Sequence, residues 1–397
     1  MTNIKLNQPS ATLKNQTSCH SVAEYFAGIG LVRMGLEPCG WRVVLANDIS
    51  IKKYEMYKGF FPDAPQHYIV GDVFDIDADK VPNADLATCS FPCIDLSLAG
   101  NMAGINGNHS SAFWGFIRIL GKQGRHSPPI VLVENVPGWL SSNDGADFRT
   151  TVQALNACGY ACDVFTLDAL RFTPQSRLRV FLVGAKIDML DGNVSITQIR
   201  SRSLASDTLR ETLVANRDLR WFDASIPEPP PLLQDGLSLV IEDIPDYDSK
   251  WWSEAQVKRH LDMMDDSHQT RVKQLMANDK YSYRTFFRRR RINGQRAEVR
   301  DDDLAGCLRT AVGGSGKQFL IRAGKGSIKM RTMTPREYAR LQGVPDAYPI
   351  EGDVVQALTG FGDAVCVPAI TWIAMNVLNP LLDSLISKSL QLVRHND

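Results

Sequence analysis

From about residue 19 to residue 186 the chain repeats one pattern. A short apolar run is followed by a turn rich in glycine, proline or acid, and then by a longer amphipathic stretch. The runs Val43–Ala46, Tyr68–Val70, Leu86–Cys89, Ile130–Val133 and Val180–Val183 are too short for buried helices. Apart from Thr88 they are apolar, which suits strands covered on both faces, as in a parallel sheet. Between them, Ser111–Leu120 and Phe148–Ala157 carry apolar residues at helical spacing. This alternation predicts a doubly wound α/β sheet. Beyond 187 the rhythm breaks. Pro227, Pro229, Pro230 and Pro231 mark a loop. Residues 250–278, with Trp251, Trp252, Val257, Leu261 and Leu275, predict helix, and 308–321 predicts strand, glycine turn, strand. The run Ala369–Leu378 predicts helix again. There is no internal repeat or low-complexity tract.

At 397 residues the chain exceeds one average domain and can bury a large core. Its 44 basic residues balance 44 acidic ones, so no global field draws it to a polyanion. A local patch exists, however. Between Lys280 and Arg300 lie Arg284, Arg288, Arg289, Arg290, Arg291, Arg296 and Arg300 against a single acid, Glu298. Such a run is either a solvated face or a phosphate-contacting surface; the interleaved Tyr281, Tyr283, Phe286 and Phe287 favour the second. The eight cysteines form no framework. The pairs Cys89/Cys93 and Cys158/Cys162 lack nearby histidines, so no metal is expected, and free thiols suit a reducing cytosol. The first residues are polar without an apolar core of signal type, and no stretch reads as a membrane span.

Candidate chemistry sits where the predicted strands end. Cys93 follows Leu86–Cys89 in the run Ser90-Phe91-Pro92-Cys93. A cysteine there is either buried and inert or a nucleophile held at a strand end. Upstream, Tyr25-Phe26-Ala27-Gly28-Ile29-Gly30 places two glycines in a turn that lets backbone approach a nucleotide. Asp48, twenty residues after Gly28, ends one apolar run, and Asp72 follows another. The first can accept from ribose hydroxyls and the second from an adenine amino group. Glu134 ends Ile130–Val133; it is a loop acid or a general acid with a raised pKa. Arg177 and Arg179 alternate along an incoming strand, so they share a face suited to a planar acceptor or a phosphate.

In this order the segments resemble the cytosine-5 DNA methyltransferases, the family of bacterial restriction–modification systems. Phe26-Ala27-Gly28-Ile29-Gly30 resembles the family's cofactor loop and Ser90–Cys93 its nucleophile loop. Glu134-Asn135-Val136 resembles the proton-donating motif and Gln175–Arg179 the paired-arginine strand. Arg331–Pro345 and Gly360–Ile370 are similar to its two late motifs. Two departures stand out. Ile94 and Asp95 follow Cys93 where the family usually has glutamine next, and Gly362-Asp363 replaces the usual Gly-Asn. An ionised aspartate only accepts hydrogen bonds, so the partner of Asp363 must be a donor unless the acid is protonated.

The resemblance implies a Rossmann-like, S-adenosylmethionine-dependent methyltransferase with a doubly wound mixed sheet and a smaller target-recognition domain. Residues 1–18 read as a polar arm from their composition, and the resemblance implies a cofactor-binding catalytic domain over 19–186, a target-recognition domain over 187–345, and a return to the catalytic domain over 346–397. It assigns catalysis to Cys93, Glu134, Arg177 and Arg179, with no metal. Cofactor contacts would come from Phe26, Gly28, Ile29, Gly30, Asp48, Ile49, Asp72, Val73, Pro92, Asp363 and Val365. Double-stranded DNA would be met by Arg288, Arg289, Arg290 and Arg291 and by a cradle of Thr310, Gly313, Gly314 and Ser315. The expected setting is a monomer in a bacterial cytoplasm, bound to the nucleoid through DNA, with a companion restriction endonuclease. The segment Pro92–Gly100 points by resemblance to a CG-containing palindrome such as a CCGG core.

Cytosine C5 is too weak a nucleophile to take a methyl group from a sulfonium unaided. A thiolate added at C6 makes C5 enamine-like, and protonation at N3 stabilises the charge that develops. C6 is unreachable in a stacked base, so the base must leave the duplex. Three other readings stay open: tRNA cytosine-5 methylation by the same residues, a nicotinamide oxidoreductase suggested by the glycines and Asp48 alone, and a non-catalytic DNA-binding protein on the same scaffold.

Overall fold

The computed structural model describes residues 20–91, 112–190, 200–291, 294–310 and 316–395, with side chains to 388. Seven strands form the main sheet: β1 (His20–Tyr25), β2 (Trp41–Asp48), β3 (Tyr68–Val70), β4 (Leu86–Cys89), β5 (Ile130–Asn135), β6 (Tyr160–Asp168) and β7 (Leu178–Lys186). Their order is β3-β2-β1-β4-β5-β7-β6. The first five are parallel, and β7 runs antiparallel between β5 and β6. The chain reverses its direction of travel between β1 and β4, which opens a crevice at their carboxyl ends. The expected doubly wound mixed sheet is what forms. β6 was not legible in the pattern, although it is buried along eight of its nine residues.

Register fixes what lies at the crevice. Tyr25 pairs with Asn47 on one side and Cys89 on the other, and Cys89 pairs with Val133. Asp48 and Glu134 therefore come to the same edge of the sheet. Because β7 is antiparallel, its first residues lie beside the last residues of β5: Asn135 pairs with Val180 and Glu134 with Phe181. Arg177 and Arg179 reach the acid's edge for that reason alone.

Helices α1 (Leu31–Leu36), α2 (Ile51–Phe60), α3 (Ala112–Gln123) and α4 (Ala146–Ala157) cover the sheet. The second sheet is antiparallel, in the order β11-β10-β8-β9, from β8 (Ser282–Arg291), β9 (Gly294–Val299), β10 (Phe319–Gly324) and β11 (Ser327–Thr332). Helices α5 (Glu254–Asp262) and α6 (Asp266–Met276) pack on it, and Val257, Val272 and Leu275 share a core with Phe286, Phe319 and Ile321. The helical stretch expected over 250–278 is thus two helices. Ser253 caps the first in a capping box and Asp265 caps the second. The strand expected at the start of 308–321 does not form among its described residues. Instead β10 pairs with β11 through Lys325 and Gly326, both in the left-handed region at φ 51° and 72°.

The chain returns to the main sheet through α7 (Pro335–Leu341), α8 (Val354–Asp363), α9 (Val367–Ile373), a π turn (Ala374–Leu378) and α10 (Asn379–His395). Here the expectation from sequence needs correction, since Val354–Lys388 is long and apolar enough to cross a membrane by length and composition. It packs inward instead, with 56% of its most apolar window buried. A Cβ on Gly35 of α1 would lie 2.6 Å from Ile370, so the glycine permits α1 and α9 to touch.

Candidate active site

The loop Phe26–Gly30 is built around conformations that most residues avoid. Phe26 has φ 60° and Gly28 φ 56°, both left-handed, and the strain at Phe26 costs about 1–3 kcal/mol. What holds the loop is Asp48. Its Oδ2 accepts from the Gly28 amide at 3.0 Å and its Oδ1 from the Ser50 amide at 2.9 Å. Tyr68 adds a hydroxyl bond to the Gly28 carbonyl at 3.1 Å, and Asn47 ties β2 to the carbonyls of Ile69 and Gly71. Asn47 and Tyr68 were not singled out from the sequence; strand-interior polar and aromatic residues carry no signal of such a role.

A cleft of about 1210 Å³ opens at the carboxyl ends of the strands. Phe26, Gly28, Ile29, Asp48, Ile49, Asp72 and Val73 line one part of it, together with Asp363 and Val365 from the end of the chain. Ile49 is 71% exposed, as an apolar wall of an open cleft would be. Asp72 accepts from the Phe74 amide at 2.9 Å, which orients its carboxylate. Gly30 does not line the cleft. A Cβ there would lie 2.7 Å from the Phe61 ring and 2.8 Å from that of Tyr57, so this glycine serves packing beneath the loop. Asp363 has the donor it requires: the Lys53 ammonium lies 3.2 Å from its Oδ2.

Glu134, Arg177, Arg179 and Thr310 line the remainder of the cleft. Arg179 Nε is 3.1 Å from Glu134 Oε1, with only 13% and 12% of the two side chains exposed. Arg177 is used differently. It donates to the carbonyls of Leu308 (2.8 Å), Gly362 (3.2 Å) and Ala364 (2.6 Å). It is almost wholly buried, and burial, with Arg179 adding to it, pushes its guanidinium down to about 10. Arg177 therefore ties its own segment to two distant ones, around 308 and 362–364, while Arg179 faces the acid. Cys307, which the sequence did not single out, lies between them, its sulfur 3.5 Å from Arg177 Nη1 and 3.9 Å from Arg179 Nη1. A lone cysteine outside any motif gave no signal.

Cys93 and Pro92 lie outside the described residues, as do Gly313, Gly314 and Ser315. The start of the Ser90–Cys93 segment is described. The Asn135 side chain donates to the Phe91 carbonyl at 3.2 Å, so the segment carrying Glu134 is tied to the one leading into Cys93. By contrast, Cys89 is wholly buried, and burial holds its thiol well above the ordinary range. It is core.

The four arginines of the basic run sit on β8 and do not share a face. Arg288 lies 5.0 Å over the Phe319 ring. Arg289 and Arg291, which project the other way, reach Glu298 on β9 at 3.9 and 2.8 Å. The late motif is structural: Arg331 and Glu337 form a fully buried ion pair, and Gln175 donates to the Leu341 carbonyl at 2.9 Å.

A sheet with this order, with strand-end carboxylates and a glycine loop at its switch point, defines a Rossmann-like methyltransferase fold. A model of the C-5 cytosine-specific DNA methylase family matches residues 20–379, and the chain belongs to that family. It is a DNA (cytosine-5-)-methyltransferase, and S-adenosylmethionine use is general to such enzymes. Over 368 residues it is 27% identical to the type II methyltransferase M1.ScrFI of Lactococcus lactis subsp. cremoris, covering 92% of this chain and 80% of that one. Over 362 residues it is 22% identical to M.HhaI of Haemophilus parahaemolyticus, covering 89% and 93%. Among solved structures, the S. pombe Dnmt2 methyltransferase superposes with a TM-score of 0.57 at 17% identity, covering 91% of this chain and 99% of that one. A prophage-encoded DNA modification methyltransferase of E. coli gives 0.54 at 16% identity, with the same coverage. These last two speak for the fold.

Proposed function

We propose that the chain methylates C5 of a cytosine rotated out of a specific duplex DNA sequence, with the Cys93 thiolate adding to C6. The Glu134–Arg179 pair carries the reading. It sets a carboxyl and a guanidinium side by side in a partly dry cleft, the combination needed at N3 and O2 of the ring. Glu134 holds the proton that stabilises N3 as C6 is attacked. Arg179 orients that carboxyl and balances charge at O2. Asn135 anchors the loop that brings Cys93 to the face of the base. After methyl transfer to C5 a base removes the C5 proton, and the thiolate is expelled from C6.

The other part of the cleft fits S-adenosylmethionine. Carboxylates at Asp48 and Asp72 suit ribose hydroxyls and an adenine amino group, and Phe26 offers an aromatic face. When bound, the cofactor supplies an electrophilic methyl group. Double-stranded DNA is the partner, with β8 and β9 supplying phosphate contacts. The domain limits expected from the sequence, monomeric action and a companion endonuclease belong to the same proposal.

The test is methyl transfer from labelled S-adenosylmethionine to duplex DNA, with tRNA as a parallel substrate. Bisulfite sequencing of DNA from cells expressing the protein would locate the modified cytosine. Labelled tRNA with unlabelled duplex would turn the assignment to the tRNA reading.

A further inference from the structure

Lys53 plays no part in the reading above, yet it lines the cleft beside Phe26, Gly28 and Asp48. It stands on the first turn of α2, and its Cδ would lie 4.0 Å from a Cβ at Gly28, so its stem runs along the cofactor loop. Its Nζ is 3.2 Å from Oδ2 of Asp363, the last residue of α8, which also lines the cleft. The two side chains remain 27% and 32% exposed. An ion pair this wet adds little to stability. The two helices are already joined by Gln356, which donates to the Lys52 carbonyl at 2.9 Å, and by Met56 packed on Gly360. The pair is therefore not needed to fasten α2 to α8.

Resting on the cofactor assignment above, we infer that Lys53 and Asp363 form a charge-matched receptor for the amino-acid end of S-adenosylmethionine. That end is a zwitterion, with an ammonium and a carboxylate on one carbon. A cation and an anion held side by side on the cleft wall present the complementary arrangement. Lys53 takes the carboxylate and Asp363 the ammonium, and the four charges form a closed set. The pair also accounts for aspartate at 363. An aspartate here accepts only, which suits an ammonium, and Lys53 supplies the opposite charge when the cleft is empty of ligand. The approach of α8 that makes this possible depends on Gly362, where a Cβ would lie 2.3 Å from the Arg309 carbonyl oxygen.

Calorimetric titration of the full-length protein with three ligands tests the assignment. S-adenosylhomocysteine carries both charges, decarboxylated S-adenosylmethionine lacks the carboxylate, and 5′-methylthioadenosine lacks the amino-acid end altogether. Lys53→Met should weaken S-adenosylhomocysteine by roughly 10- to 100-fold, as for removal of a charge-assisted bond. It should leave the other two ligands unchanged. Asp363→Asn should weaken S-adenosylhomocysteine and decarboxylated S-adenosylmethionine but spare 5′-methylthioadenosine. Equal weakening of all three ligands, with a lower Tm, would show the pair to be a structural clasp and overturn the inference. Unchanged S-adenosylhomocysteine binding by Lys53→Met would overturn it too, while leaving the cofactor assignment standing. Failure of the unaltered protein to bind any of the three would remove that assignment itself.

Discussion

Arg179 Nε lies 3.1 Å from Oε1 of Glu134, across two strands that run in opposite directions. Forty-five residues separate them in the chain, and only the insertion of β7 between β5 and β6 brings them together. The neighbouring Arg177 spends its donors on three carbonyl groups, so the two arginines of one motif meet different partners.

Glu134→Gln should slow single-turnover methyl transfer by roughly 10²–10⁴-fold, the range for a positioned acid. Cofactor affinity should hold. Arg179→Lys keeps a charge but loses the planar fork, and it should slow the same step with unchanged S-adenosylhomocysteine binding. Parallel losses in binding and turnover would assign both residues to structure.

Cys93→Ser should abolish methylation, because a hydroxyl there is too weakly acidic to ionise and attack C6. Duplex carrying 5-fluorocytosine at the target should give a covalent adduct stable to denaturing electrophoresis, since C5 then has no removable proton. Active enzyme that forms no adduct would exclude the thiolate route.

Asp48→Ala should weaken cofactor binding by about 1–3 kcal/mol, measured without DNA. Part of that loss is indirect, since Asp48 also holds the Gly28 amide. Tyr68→Phe removes only the hydroxyl bond to the Gly28 carbonyl and should cost about 1 kcal/mol. If Tyr68→Phe cost as much as Asp48→Ala, loop position rather than direct contact would govern affinity.

Neutralising Arg288 through Arg291 should flatten the salt dependence of DNA binding, the slope of log K against log salt falling by roughly 0.9 for every phosphate no longer neutralised. Glu298 lies against Arg289 and Arg291, so Glu298→Gln should do the opposite and tighten binding at low salt. A slope unchanged in both variants would make this hairpin a solvated face.

Glu24 is almost wholly buried on β1. Burial pushes its pKa up from 4.5 to about 8, against the pull of Arg33. The folded protein then holds a proton that the unfolded chain releases. Stability should therefore be greatest below pH 4.5 as far as this group is concerned, and fall as pH rises towards 8. Glu24→Gln should flatten that limb in urea unfolding measured across the range. A limb of the same slope in the variant would assign the pH dependence to other groups.

The strand ends were legible in the sequence for a physical reason. A strand buried on both faces must be apolar throughout, so the polar residue that follows it marks the edge of the sheet. That is why Asp48 and Glu134 could be picked out; β3, which precedes Asp72, is an edge strand with Ile69 and Val70 exposed, so there the apolar run did not record burial on both faces. Runs such as Phe26–Gly30 add the backbone freedom a tight loop needs. The order of such segments along the chain was enough to point to the family.

Tertiary structure decided the rest, because it concerns partners distant in the chain. Nothing local separates Arg177 from Arg179; one meets carbonyls from segments more than 120 residues away, the other meets Glu134. Nothing local shows that the rings of Tyr57 and Phe61 lie against Gly30 and leave no room for a side chain there. Cys307 and Lys53 lie in no motif, and each gains its place only when the carboxyl-terminal half folds back over the sheet. Apolar periodicity records whether a position is covered, whereas it carries no information about what covers it.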